Sequence, residues 1–263
     1  MEKFDFKKKF GQNFLRDQNL LLNIVEKAGV TSEDIVVEIG AGKGALTEVL
    51  SKNAKKVYSF EIDSELFEFL GEKFNNTNVQ MIFQDVMKVS DEELNNMVCG
   101  KFKLVANLPY YVTSPIITRF LQNENMESLT VMVQEEVADR IIASPKTKDY
   151  GVLTVICQIF GEPKKVLRVN RKMFYPVPNV DSAVVRIDKK DALVEDFAKF
   201  ISFVKQSFSM RRKKLSTNLE TTKLKKAEIE SMLAENGFSE MTRAEELSIE
   251  DFKKLYNLFS DKM

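Results

Sequence analysis

The feature that most constrains this chain is an alternation of short apolar runs with helical segments. IVVEI (35–39) is a β-branched run, GAGKG breaks it, and ALTEVLSKN (45–53) carries apolar residues at helical spacing. The same beat returns in KVYSFE (56–61), followed by SELFEFLGEKF behind an Asp63-Ser64 cap signal. VQMIFQ (79–84), FKLVAN (102–107) and LTVMVQ (129–134) read as further strands. Strands alternating with helices predict βαβ units and a mainly parallel sheet covered on both faces, hence an α/β fold.

Upstream, QNLLLNIVEKA (18–28) is a helix closed at Gly29. Downstream, VLTVICQIF after Tyr150-Gly151 admits either a helix or a strand, whereas SAVVRI (182–187) is a clear strand behind the FYPVPNVD loop. From about residue 190 the β-branched runs stop. DALVEDFAKFISFVKQSF, KAEIESMLAENGF and SIEDFKKLYNLF are amphipathic helices, with Gly237 capping the second. The expected organisation is an α/β domain over 1–190 and a small all-helical domain over 191–263. The length of 263 residues is ample for that arrangement.

A content of 44% hydrophobic and 30% charged residues excludes disorder as the main theme. No apolar run approaches the ~20 residues that cross a bilayer, and MEKFDFKKKFGQNF has no apolar core like that of a signal peptide. Nothing therefore points to export or to a membrane. Cys99 and Cys157 fit neither a disulfide framework nor a zinc pattern and are most simply buried thiols in a reducing cytoplasm. There is no histidine. The commonest general base and the commonest metal ligand are both missing, so the chemistry expected here needs neither, and no metal site is expected.

Basic and acidic residues balance at 39 each. Their distribution is uneven: Lys7, Lys8, Lys9 and Arg16 crowd the start, Lys164, Lys165, Arg168, Arg171 and Lys172 form a second cluster, and Lys205 with Arg211–Lys214 a third. A neutral chain can thus still present a basic face, or each cluster can be a solvated surface.

Gly40, Gly42 and Gly44 stand between the first strand and its helix, where glycine lets the backbone turn sharply and approach a ligand. The spacing is G-x-G-x-G rather than the dinucleotide G-x-G-x-x-G, and no Walker Lys-Ser/Thr pair follows. Glu61 closes the second strand about 20 residues on, where an acid accepts from both hydroxyls of a ribose. Asp85, in FQDV, is placed at the next strand tip to accept from an adenine amino group. NAD and S-adenosylmethionine share the ribose logic. The glycine spacing and Asp85 lean toward S-adenosylmethionine, and a nicotinamide dehydrogenase also lacks its acid/base here.

At the fourth strand tip stands Asn107-Leu108-Pro109-Tyr110. An exocyclic adenine amine is a poor nucleophile because its lone pair is delocalised into the ring. Two acceptors, the Asn107 carboxamide oxygen and the Leu108 carbonyl, can take its two N–H bonds and favour a more tetrahedral nitrogen. Pro109 biases Leu108 to an extended backbone, and Tyr110 offers a ring on which a flipped base can stack.

These residues resemble a known family. GQNFL (11–15), VEIGAGKGALT (37–47), NLPYYVTSPII (107–117), VQEEVADRI (133–141), FYPVPNVDSAVV (174–185) and QSFSMRRKKLSTNL (206–219) are similar to the KsgA/RsmA/Dim1 rRNA adenine dimethyltransferases. The resemblance covers almost the whole chain. It implies a Rossmann-like, S-adenosylmethionine-dependent methyltransferase domain with a helical cap. It implies dimethylation, at N6, of two adjacent adenosines in the hairpin loop near the 3′ end of 16S rRNA. The setting is small-subunit biogenesis in the cytoplasm, the partner being 16S rRNA in the subunit or its precursor and the enzyme a monomer. Residue by residue it implies cofactor contacts from Asn13, Leu15, Gly40, Gly42, Glu61, Ile62, Asp85 and Asn107. Asn107, Leu108, Pro109 and Tyr110 would form the acceptor site, with Phe174 stacking on the other side of the target base. The Arg211–Lys214 and Lys164–Lys172 clusters would face RNA backbone. Tyr111 departs from the pattern, since many members carry Asn there. Two rival readings are an Erm-type enzyme acting on 23S rRNA and a chiefly non-catalytic assembly factor.

Overall fold

The computed structural model describes residues 14–15, 17–190, 194, 196–221 and 224–259. These fall into two compact units, the first taking in the chain to Ala138 together with Glu162–Lys189, the second Asp139–Gly161 and the chain from Lys190 onward. The sequence-based division at 190/191 falls beside one of these boundaries. Residues 139–161, assigned above to the first domain, belong instead with the helical unit.

In the first unit, β1 (Phe14–Leu15) precedes α1 (Gln18–Lys27), which Asp17 caps by accepting from the Leu20 N–H at 2.9 Å. Then come β2 (Ile35–Ile39), α2 (Ala45–Asn53), β3 (Lys56–Phe60), α3 (Phe67–Lys73), β4 (Val79–Ile82), α4 (Asp91–Val98), β5 (Phe102–Asn107), α5 (Thr113–Gln122) and β6 (Met126–Gln134). The strands alternate with helices as the periodicity predicts. α6 (Glu135–Ile142) leaves the unit and, after α7 (Val152–Ile159), the chain re-enters it as β7 (Lys164–Val169), β8 (Phe174–Tyr175) and β9 (Ser182–Asp188). The ambiguous VLTVICQIF is thus the helix α7. β7 is a strand that the basic run KKVLRV conceals, and it lies at the sheet edge, where charged side chains discourage pairing with another chain.

The sheet order is β4-β3-β2-β5-β6-β9-β7. The first five strands run parallel, while β9 is antiparallel to β6 and β7 antiparallel to β9. The order reverses between β2 and β5. That is the topological switch point, outside whose strand C-termini open α/β sheets bind ligands. The core beneath includes Val36, Leu50, Val57, Val105 and Val184, all fully buried.

In the second unit, α8 (Phe197–Ser207), α9 (Leu215–Leu219), α10 (Lys226–Glu235) and α11 (Ile249–Phe259) join α7. Its core is aromatic: Phe200 packs edge-on against Tyr256 at 5.4 Å between centroids, and Phe208 stacks on Phe252 at 5.8 Å. Tyr150, 1% exposed, donates its hydroxyl to the Leu247 carbonyl at 2.7 Å, which locks the 139–161 segment into this unit. Burial pushes the Cys157 thiol up, whereas Cys99 is exposed at the left-handed end of α4, contrary to the expectation of two buried thiols. Among the described residues no helix is long and apolar enough to cross a membrane.

Candidate active site

A cavity of about 500 Å³ opens at the switch point, a size within the ~300–1,000 Å³ range of small-molecule sites. Each glycine of the loop behind β2 has a positive φ: 79° at Gly40, 55° at Gly42 and 73° at Gly44. Their tasks differ. A Cβ on Gly40 would meet the Asn107 carbonyl and Pro109 Cδ at 3.8 Å each, so this glycine brings the loop against the β5 tip. A Cβ on Gly44 would lie 2.6 Å from Phe74 Cε2, so Gly44 serves helix packing instead.

Glu61 stands just past β3, 5% exposed. Its Oε2 accepts from the Gly42 N–H at 2.7 Å, and its Oε1 from the N–H groups of Ile62 and Asp63 at 2.8 and 2.9 Å. Burial raises its pKa, Asp63 pushes the same way, and the three backbone donors oppose them. A carboxylate held in this way fixes the glycine loop at the cavity wall.

Asp85 also lines the cavity, but not as the end of a strand. β4 stops at Ile82 because Phe83 leaves the ladder to stack on Phe67 at 4.2 Å. Asp85 caps the short 3-10 turn Val86–Lys88, accepting from the Met87 N–H at 2.9 Å.

Asn107 is the last residue of β5, and Leu108 donates its N–H to the Met132 carbonyl at 3.3 Å. Pro109 has φ −58° and ψ 131°, and its carbonyl accepts from the Thr113 hydroxyl at 3.2 Å. The Tyr110 hydroxyl is hydrogen-bonded to that of Ser182 at 3.1 Å, and Ser182 is fully buried on β9. Tyr110 is therefore anchored across the sheet at its hydroxyl while its ring borders the cavity.

The cavity thus brings together Leu15, Gly40, Gly42, Glu61, Ile62, Asp85, Asn107, Leu108, Pro109 and Tyr110, all expected from the sequence. Asn13, Lys7–Lys9 and Arg16 lie outside the described residues, as does the side chain of Tyr111. Phe174 pairs with the cavity-lining Leu15 across β1 and β8 and is 3% exposed in the same core cluster, but it is not itself among the residues that line the cavity.

Sequence reasoning missed Glu38. It lies in the middle of a buried strand at 1% exposure and borders the cavity; its Oε2 accepts from the Thr47 and Ser59 hydroxyls at 2.6 Å each. Burial pushes its carboxyl up to about 7, against those two donors and with a further push from Glu61. The signal was available, since a lone acid in the β-branched VVEIG run has to be paired or neutralised.

The basic clusters are less free than their spacing suggests. Arg211 is paired with Glu245 at 3.0 Å and also donates to the carbonyls of Thr147 and Lys148, all within the second unit. Lys165 pairs with Glu135 at 2.7 Å, while Arg168 reaches the same carboxylate at 3.4 Å and stays largely exposed. Arg212, Lys213 and Lys172 are exposed.

A family model, ribosomal RNA adenine dimethylase, matches residues 3–261. A protein from Bacillus licheniformis, ribosomal RNA small subunit methyltransferase A, is 46% identical over 96% of this chain and 90% of its own length. The crystal structure of a dimethyladenosine transferase from Plasmodium falciparum superposes with TM-score 0.80 at 27% identity, covering 95% of this chain and 98% of that one. The 23S rRNA methyltransferase ErmE superposes with TM-score 0.70 at 29% identity, covering 93% and 98%.

Proposed function

The chain belongs to the ribosomal RNA adenine dimethylase family, and on that premise we propose that it dimethylates N6 of two adjacent adenosines near the 3′ end of 16S rRNA. The acceptor is the rRNA of the small subunit or its precursor, and the enzyme works as a cytoplasmic monomer. The observation that carries this reading is the contact of the glycine loop with the β5 tip, where a Cβ on Gly40 would be 3.8 Å from the Asn107 carbonyl. A donor cavity and an amine-binding tip thereby share one wall.

The residues around the cavity suit S-adenosylmethionine. Glu61 would take the ribose hydroxyls, Asp85 the adenine edge, and Leu15, Gly40, Gly42 and Ile62 the remaining walls. When bound, this group supplies a methyl on a sulfonium, which leaves as a neutral thioether once the methyl has passed to nitrogen. The rest is positioning. The Asn107 carboxamide oxygen and the Leu108 carbonyl accept the two amine N–H bonds, which aims the nitrogen lone pair at the cavity. Pro109 holds that carbonyl, and Tyr110 supports the base by stacking, worth about 1–3 kcal/mol. The extra proton on nitrogen leaves to water, so no histidine is needed.

The 46% identity to a small-subunit enzyme over 96% of the chain, and the TM-score of 0.80 to a dimethyladenosine transferase against 0.70 to ErmE, favour 16S over 23S rRNA. Mass spectrometry of the 16S 3′ fragment from cells with and without the gene tests this. Dimethyladenosine should depend on the gene; modification confined to 23S rRNA would overturn the assignment. Asn107→Ala should lower turnover far more than RNA affinity.

A further inference from the structure

The wall of the cavity that carries Asp85 is not held by its own strand, which ended three residues earlier. It is held from the side. Arg119, in the last turn of α5, donates one guanidinium arm to the Val86 carbonyl and the other to the Val89 carbonyl. The second arm also lies 3.5 Å from the Asp91 carboxylate at the start of α4. The side chain is 16% exposed, and its guanidinium carbon sits 5.4 Å from the centre of the Phe120 ring. A planar fork with fixed donors can bridge two carbonyls in this way, and a lysine ammonium cannot span both.

The other end of α5 is the acceptor tip. The turn Tyr110–Val112 runs directly into Thr113, which is tied back to Pro109. One ten-residue helix therefore begins at the amine pocket and ends by gripping the loop that bears Asp85 and Met87. We propose that Arg119 is a positioning residue for the donor site, setting the Asp85–Met87 wall at a fixed place relative to the acceptor tip through α5. This rests on the reading of the cavity as the S-adenosylmethionine site.

The test is calorimetric binding of S-adenosylhomocysteine to the native protein, Arg119→Met and Arg119→Lys, with amide exchange and RNA affinity measured alongside. The native protein should bind; if it does not, the reading of the cavity fails rather than the role of Arg119. Both variants should bind roughly tenfold more weakly, the scale of one lost hydrogen bond to a charged donor. Faster exchange should be confined to residues 86–90, with RNA affinity retained. Adding Asp85→Asn should cost less in the Arg119→Met background than in the native one, because the wall is already displaced. Where Arg119→Met does not fold, Arg119→Lys carries the same readouts. Unchanged affinity in a folded variant overturns the proposal, and so does a loss of protection spread evenly over the first unit, which would mark a general structural role.

Discussion

Replacing Glu38 by glutamine isolates the electrostatics of the cavity floor. Burial pushes the native carboxyl from 4.5 up to about 7. Between those values the folded protein holds the proton more tightly than the unfolded chain does. The stabilisation that this proton brings is complete below about pH 4.5 and is lost as pH rises through about 7. At about 1.4 kcal/mol per pH unit, the swing over that window is about 3 kcal/mol. Glutamine has nearly the same shape, keeps an acceptor for the Thr47 and Ser59 hydroxyls, and does not titrate. Glu38→Gln should therefore match the native protein within about 1 kcal/mol at about pH 5 and exceed it by about 3 kcal/mol at about pH 8. Urea unfolding of the ligand-free proteins at the two pH values, followed by far-ultraviolet circular dichroism and tyrosine fluorescence, reads the difference directly, since the chain has no tryptophan. A stability gap that is the same at both pH values would refute the reasoning.

Other substitutions probe the loop and the acceptor tip. Gly44→Ala places a methyl against Phe74 in a left-handed backbone and should cost about 2–4 kcal/mol in thermal unfolding, against about 1–2 kcal/mol for Gly40→Ala, which meets only ordinary contacts. Tyr110→Phe and Ser182→Ala remove the same hydrogen bond, so each should lower kcat about five- to tenfold and the double variant no further; additive losses would show that the two hydroxyls act separately.

Much of the site was legible because its residues follow strands in a repeating pattern. Gly40, Glu61, Asp85 and Asn107 each follow a recognisable β-branched run, and topology alone brings such tips to one crevice. What stayed hidden depends on contacts that no local pattern records. Arg119 reads as an unremarkable polar position on an amphipathic helix, and only the path of the 85–91 loop gives it partners. Phe174 carries a family expectation, but its burial beside Leu15 comes from a two-residue pairing of β8 with β1 that no local pattern records. β7 was masked by its charges, because an edge strand tolerates lysine and arginine where a central one does not. α7 was ambiguous because Thr154 and Gln158 alone interrupt a short apolar run, and a run of that length fits a buried strand as well as a buried helix.

The first unit is written in two instalments, the chain to Ala138 and Glu162–Lys189, with part of the helical unit spelled out between them. Simple truncation therefore cannot separate the two. A protein cut before Ser182 would lose β9, and with it both the serine that anchors Tyr110 and the Val184 of the core beneath the cavity. Grafting the helical unit from a relative means exchanging two stretches of gene at once, with both junctions between 138 and 162 kept in register. The chain is thus modular in space but not in sequence, which restricts recombination among relatives to exchanges that move both pieces together.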